Sequence, residues 1–332
     1  MLLLDGLTIS TIFEHLILPC KGSTLTLYQA SGTVGSSILS ALLEDPTDNF
    51  NVTILVRPTS ASTITEHPNV NIARVDVNDL AALTNAFRGH DAIIHASGIA
   101  GLSTQTLMLE AAIKAGVKRF VLNEFANSYN QVGLPELEPL RTPKREVLRL
   151  AKQKAADHPE FSWTGLATGN FLDYSLLKYP QIGVDIVNRK ARLIDSGEER
   201  FSAVVVRDIG IAVRGILRRP EETKNRMCHV RSVETCQREI LEVCRELVDA
   251  GEGKWEVQDV NGQELYEKGK EAWVGRKERS GMVDILVCQL FTRGRGQSIV
   301  VRKGESDNEL LGVSEKDVRH VVEGVLKEMK MA

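Results

Sequence analysis

Residues Leu25-Thr-Leu-Tyr-Gln-Ala-Ser-Gly-Thr-Val-Gly35 set the reading of the whole chain. Leu25 and Leu27 alternate with polar neighbours and lead into a glycine turn. Val34, Ile38, Leu39, Leu42 and Leu43 then recur at helical spacing. A strand, a tight turn and a helix in that order form the entrance to a dinucleotide site, because the turn's backbone N–H groups and the helix N-terminus converge on a pyrophosphate. Gly32 is placed to let the backbone approach the phosphates, and Gly35 to let the helix pack closely on the strand. The usual pattern has three glycines, and here its first position is Gln29. Two glycines of three also occur in ordinary strand–helix turns, so the neighbouring segments must carry the assignment.

Phe50-Asn-Val-Thr-Ile-Leu-Val-Arg57 reads as a buried parallel strand ending in a charge. The end of this second strand selects the cofactor: an acid there binds the ribose hydroxyls of NAD, an arginine the 2′-phosphate of NADP. Arg57, followed by Thr59 and Ser60, is the NADP choice, preferred over a plain surface arginine before a proline turn. Asn71 to Val75 is a short third strand, and Asp76 and Asp79 start a helix through Leu80, Leu83 and Phe87. A fourth strand ends in the small residues Ala96, Ser97 and Gly98, which leave room for a cofactor. His95 reads there as a packed strand residue rather than a base. A helix from about Thr104 to Ala115 ends at Gly116, and Val117 to Leu122 is the fifth strand. This alternation predicts an α/β fold, a Rossmann-type doubly wound parallel sheet, with a smaller α/β substrate-binding part in the C-terminal half. Arg57, Ser97 and Asn123 all fall at the carboxyl edge of that sheet, where ligands bind.

The expected organisation is an NADP-binding Rossmann domain over 22–160 and a mainly substrate-binding part over 161–332 that shares some strands with the first sheet. Asn127 to Leu140 reads as a long polar loop forming a movable cover, Pro143-Lys144 as the start of a helix to about Lys154, and Ser162 to Gly169 as a sixth strand. Short strands near 191–195 and 200–205 follow, with helices near 208–217, 235–250, 262–272 and 314–328. A Rossmann chain begins its first strand near its own beginning, so residues 1–21 are expected to be a gene-model artefact. Tyr28-Gln29 is encodable as the end of a retained intron, which would account for the missing glycine as well.

With 332 residues, 42% hydrophobic, 26% charged and a net charge of −3, the composition is that of an ordinary globular protein of one large or two modest domains. Nothing in that balance points to nucleic acid or to an anionic membrane. The five cysteines are odd in number and lack C-x-x-C spacing, which argues for a reduced, cytoplasmic protein with neither a disulfide framework nor a metal site. No stretch is long and apolar enough to span a membrane. The expected partner is a small-molecule substrate, with the chain a monomer or a homodimer.

Several segments then act as a set: Ala30-Ser-Gly-Thr-Val-Gly35, Val52-Thr-Ile-Leu-Val-Arg57, Ala111-Ala-Ile-Lys-Ala-Gly-Val117, Val117-Lys-Arg-Phe-Val-Leu-Asn-Glu-Phe125, and Trp163-Thr with Gly169-Asn-Phe171 and Asp173. Together they resemble the NmrA-like and isoflavone reductase-like group of atypical short-chain dehydrogenases, especially its fungal members. The family pattern V-K-R-F-x-x-S-E-F-G is matched except at Asn123 and Ala126. The resemblance spans about residue 22 to the C-terminus and is strongest before residue 215. It implies an NADP(H) cofactor and reduction of an aromatic or polyketide-like molecule, in secondary metabolism. It implies that Ser31, Gly32, Thr33, Val34 and Gly35 contact the pyrophosphate and Arg57 the 2′-phosphate, while Ser97, Asn123, Glu124 and Phe125 line the path to the nicotinamide. It places the catalytic lysine of the plant reductases at Lys144, also near the nicotinamide ribose. Spacing alone reads Lys144 as a solvated member of the basic run Arg141, Lys144, Arg145. Asn170, Phe171 and Tyr174 are candidates for the substrate wall, with Tyr174 equally suited to the core. No Tyr-x-x-x-Lys pair lies near the fifth strand, so the reaction rests on Lys144. Two other functions suit the same scaffold: a non-catalytic NADP-sensing regulator, and a redox-neutral isomerase or dehydratase.

Overall fold

The computed structural model describes residues 22–60, 66–98, 101–127, 133–177, 181–249, 254–294 and 299–331; residues 1–21, expected to be artefactual, lie outside them. Strands and helices alternate at first: β1 (Thr24–Tyr28), α1 (Thr33–Glu44), β2 (Asn51–Val56), β3 (Val70–Arg74), α2 (Leu80–Phe87), β4 (Ala92–His95), α3 (Thr104–Lys114) and β5 (Arg119–Val121). A 3-10 turn at Pro135–Leu137 leads into α4 (Glu138–Asp157), β6 (Ser162–Ala167), β7 (Asn170–Phe171) and α5 (Leu172–Leu177). The later part holds β8 (Val184–Asp185), β9 (Lys190–Ile194), β10 (Phe201–Val204), α6 (Val206–Arg218), α7 (Pro220–Thr223), β11 (Arg226–His229), β12 (Val233–Thr235) and α8 (Gln237–Asp249). It closes with β13 (Glu256–Val260), α9 (Gly262–Lys270), a π-helical turn at Glu271–Gly275, α10 (Arg279–Phe291), α11 (Asn308–Leu311) and α12 (Val318–Met331).

Seven strands form one sheet in the order β11-β6-β5-β4-β1-β2-β3, and every neighbouring pair is parallel. This is the doubly wound arrangement, with the order in which strands are added reversing between β1 and β4. Helices cover both faces, so the central strands bury nearly continuous apolar runs such as Ala92, Ile93 and Ile94. The alternation at Leu25 and Leu27 buries both side chains, and α1 turns Ile38 and Leu42 into the same core. Helix α6 lies against α1 at very close range. Ser37 Oγ donates to the Val206 carbonyl at 2.6 Å, and a Cβ at Gly210 would stand 2.2 Å from the Ser37 carbonyl oxygen. Asp79 caps α2 by accepting the N–H groups of Ala81 and Ala82.

Two three-stranded sheets, β12-β10-β7 and β13-β9-β8, build most of the later part around a second core that includes Phe201, Ile240, Cys288 and Phe291. The structure differs from expectation at several places. The cover expected over 127–140 is helical from Glu138 onward, and residues 128–132 lie outside the described segments. Helix α4 starts at Glu138, so Pro143 lies inside it rather than at its start; Pro139 occupies the first turn, where a missing N–H costs least. Helix α10 and strand β11 were not anticipated, and β11 extends the main sheet beyond β6.

Candidate active site

The glycine turn follows β1 at the carboxyl edge of the sheet. Gln29 sits at φ 66°, in the left-handed region that glycine occupies without cost. This conformation turns its carbonyl inward to accept the Gly32 N–H at 3.1 Å. The same carbonyl explains Gly35, where a Cβ would stand 2.1 Å from that oxygen. Gly32 caps α1 in an extended conformation and supplies no capping side chain. The first-turn N–H groups therefore have no intrahelical acceptor, and Ser31 and Thr33 beside them are exposed. Arg57, one residue beyond β2, is exposed, and among the described residues its guanidinium has no partner.

The ends of β4 and β5 are tied together. Asn123 Nδ2 donates to the Ser97 carbonyl at 2.6 Å and to Ser97 Oγ at 3.1 Å, while the Asn123 N–H donates to Gln105 Oε1 at 2.7 Å. Asn123 and Ser97 are both buried, and neither reaches the cavity described next. Their visible role is to fix the backbone that leads into Glu124.

Beyond β5 a cavity of about 360 Å³ opens between the sheet edge and the later part of the chain. Glu124, Phe125, Lys144, Asn170, Phe171 and Tyr174 line it, so six of the residues anticipated from sequence come together here. Tyr174 is 37% exposed on this wall, which removes the alternative that it is a core residue. The remaining wall includes Leu102, Leu137, Leu140, Arg141, Arg145, Gln181, Leu286, Gln289 and Leu290, none of which the sequence marked as site residues. Gln289 Oε1 accepts both the Leu134 N–H at 2.9 Å and Arg141 Nη2 at 2.8 Å, linking α10 to the entrance of α4. Glu136 completes the link by accepting from Tyr266 Oη at 2.9 Å, with its carbonyl accepting Trp273 Nε1 at 3.1 Å. A polar Gln289 inside the apolar run Ile285 to Phe291 was the available sequence signal for this wall.

Charge in the cavity is unevenly satisfied. Arg145 donates twice to Glu138, at 2.6 and 2.9 Å. Among the described residues neither Lys144 nor Glu124 makes a side-chain hydrogen bond or an ion pair. Desolvation pushes the Lys144 ammonium below the usual lysine pKa, with the Glu124 charge pulling it back up. Desolvation raises the Glu124 carboxyl above its usual value, opposed in turn by Lys144. His95 is fully buried behind them, and desolvation lowers its pKa to about 3, so it is neutral at ordinary pH. Its Nε2 lies 3.2 Å from Thr104 Oγ1. A packed strand residue is what the structure shows there.

The sequence profile of the NmrA-like family matches residues 21–254. The oxidoreductase poxI of Penicillium oxalicum is 36% identical over 323 residues, covering 96% of this chain and 98% of the relative. An isoflavone reductase crystal structure superposes with a TM-score of 0.71 at 17% identity, over 92% of this chain and 100% of the other. The leucoanthocyanidin reductase–NADPH complex from Vitis vinifera gives 0.72 at 15% identity, over 91% and 99%. Among the described residues no helix is long and apolar enough to cross a membrane.

Proposed function

The chain belongs to the NmrA-like family, and from that premise we propose that it is an NADPH-dependent reductase of an aromatic or polyketide-like small molecule, with Lys144 as general acid. The observation that carries this is the meeting of a desolvated Lys144, unbonded among the described residues, with an apolar cavity at the sheet edge that also holds the glycine turn. The fungal relative is an oxidoreductase by name, and the Vitis vinifera neighbour is a reductase complexed with NADPH.

The residues present suit such a cofactor. An uncapped helix N-terminus beside exposed Ser31 and Thr33 offers N–H donors to a pyrophosphate through Gly32, Thr33, Val34 and Gly35. Arg57 at the end of β2, unpaired among the described residues, offers a guanidinium fork to a 2′-phosphate. When bound, the nicotinamide supplies a hydride to an electron-poor carbon. Lys144 delivers a proton to the oxygen that becomes negative, and its ammonium stabilises that charge before the transfer. Phe125, Phe171, Leu286 and Leu290 give the substrate an apolar bed and exclude water from the proton donor. Ser97 and Asn123 fix the backbone that leads into this site.

Titration with NADPH and NADH, followed by nicotinamide fluorescence, tests the reading. NADPH is expected to bind more tightly, and Arg57→Ala to weaken NADPH at least ~10-fold while leaving NADH nearly unchanged, as loss of a charge-assisted bond to phosphate predicts. Failure to bind either nucleotide refutes the assignment.

A further inference from the structure

We propose that Glu124 is the positioning residue of this site: its buried carboxylate on the cavity wall holds the Lys144 side chain in the charged, proton-donating form and restores that form after each turnover. The inference rests on Lys144 being the general acid proposed above. Glu124 is 3% exposed, yet its carboxyl has no hydrogen-bond partner among the described residues and faces the cavity that Lys144 also lines. Burying a carboxyl without a partner opposes folding, and a group that persists in that condition beside a perturbed lysine marks a functional pair. It is also the one acid on the described cavity wall, where Arg141, Lys144 and Arg145 are the cations. Arg145 already has Glu138 as its counter-charge. Arg141 is held by Gln289 and packs over Gly133, where a Cβ would stand 1.7 Å from the guanidinium. His95, on β4 behind them, is neutral and contributes no charge. Lys144 is left with Glu124.

The backbone is built to hold this carboxyl in place. Asn123, immediately before it, is clamped to Gln105 and Ser97. The proton accounting is simple. Lys144 loses one N–H proton to the substrate oxygen in the reduction proposed above, and Lys144 becomes a neutral amine. Glu124 remains a carboxylate, and its uncompensated charge draws one proton from solvent back onto the amine. One proton leaves Lys144 and one returns per reduction.

Glu124→Gln, which keeps size and removes charge, and Glu124→Asp, which keeps charge, test the proposal on the full chain. In cofactor-free protein, the pH dependence of Lys144 acylation by acetic anhydride, followed by peptide mass spectrometry, reports the lysine directly. The midpoint is expected to fall by about one pH unit in Glu124→Gln and to recover partly in Glu124→Asp, because an opposite charge nearby favours the ammonium. The alkaline limb of kcat should move the same way, since a general acid fails once deprotonated. An unmoved midpoint in Glu124→Gln overturns the proposal, whether or not turnover falls, and assigns Glu124 to packing. Full turnover in Lys144→Ala overturns both this inference and the general acid beneath it. A dead Lys144→Ala beside an unmoved midpoint removes only Glu124.

Discussion

Strand β5 has a buried charge at each end, and the two are treated in opposite ways. At its start Arg119, 1% exposed, donates to Ser162 Oγ at 2.8 Å, to Thr164 Oγ1 at 2.8 Å, to Thr223 Oγ1 at 3.1 Å and to the Pro220 carbonyl at 2.6 Å. Desolvation lowers its pKa to about 10, opposed by Glu221, so the charge survives at neutral pH. Beyond the other end Glu124 is nearly as buried and makes no hydrogen bond among the described residues. Burial is the same at both ends; satisfaction is not. The amino edge uses a guanidinium to join β5, β6 and α7, which is structural work. The carboxyl edge leaves its charges open to a cavity, which is what chemistry requires.

If that contrast is right, the two ends must separate stability from activity. Arg119→Ala removes a bulky buried side chain and strips acceptors whose own hydroxyl protons are already engaged, as Ser162 Oγ is with the Lys118 carbonyl. A loss of about 3–5 kcal/mol is expected in urea unfolding, from the cavity and the unsatisfied acceptors together. The protein that remains folded should keep its turnover. Lys144→Ala should do the reverse. Turnover is expected to fall ~100-fold, equivalent to about 2.7 kcal/mol of barrier, with stability reduced far less than by Arg119→Ala, because among the described residues no hydrogen bond is lost. A strongly destabilised Lys144→Ala, or an Arg119→Ala that unfolds normally but turns over poorly, would collapse the distinction.

The same contrast explains what the sequence could and could not disclose. From β1 to β5 the strands are short alternating or apolar segments between punctuated turns, and Asp79 announces its helix by residue type alone. Lys144 and Glu124 could be named because the motif around them resembles a family, but their unbonded state is a property of three-dimensional neighbours. Helix α10 was illegible for a related reason. It buries Ile285, Cys288, Gln289, Leu290 and Phe291, and the neighbouring Leu286 lines the cavity, so no single apolar stripe reveals the helical period. The start of α4 was misjudged because Pro143 looks like a first-turn residue, while Pro139 already held that position. Gln237 shows the limit differently: a polar residue at the start of α8, it is buried to bond the Ile182 carbonyl and the Ile194 N–H, partners distant in sequence.

Gln29 supplies the smallest effect, a strain at the carboxyl edge held in the backbone rather than in charge. The turn requires a left-handed residue there because the carbonyl must swing inward to meet the Gly32 N–H, and Gly35 exists to admit that carbonyl. The geometry of the absent glycine is therefore retained with a glutamine in it. A side chain in this region costs about 1–2 kcal/mol, while glycine loses about 0.4–1 kcal/mol through its more mobile unfolded chain. Gln29→Gly should then stabilise the fold by roughly 0.5–1 kcal/mol, read as a higher urea midpoint with an unchanged slope. NADPH affinity should hold or improve, since the N–H groups that would face the pyrophosphate keep their positions. A variant that is less stable would mean that the half-buried glutamine side chain offsets its own strain by packing. The turn would then be tuned to glutamine rather than merely tolerating it.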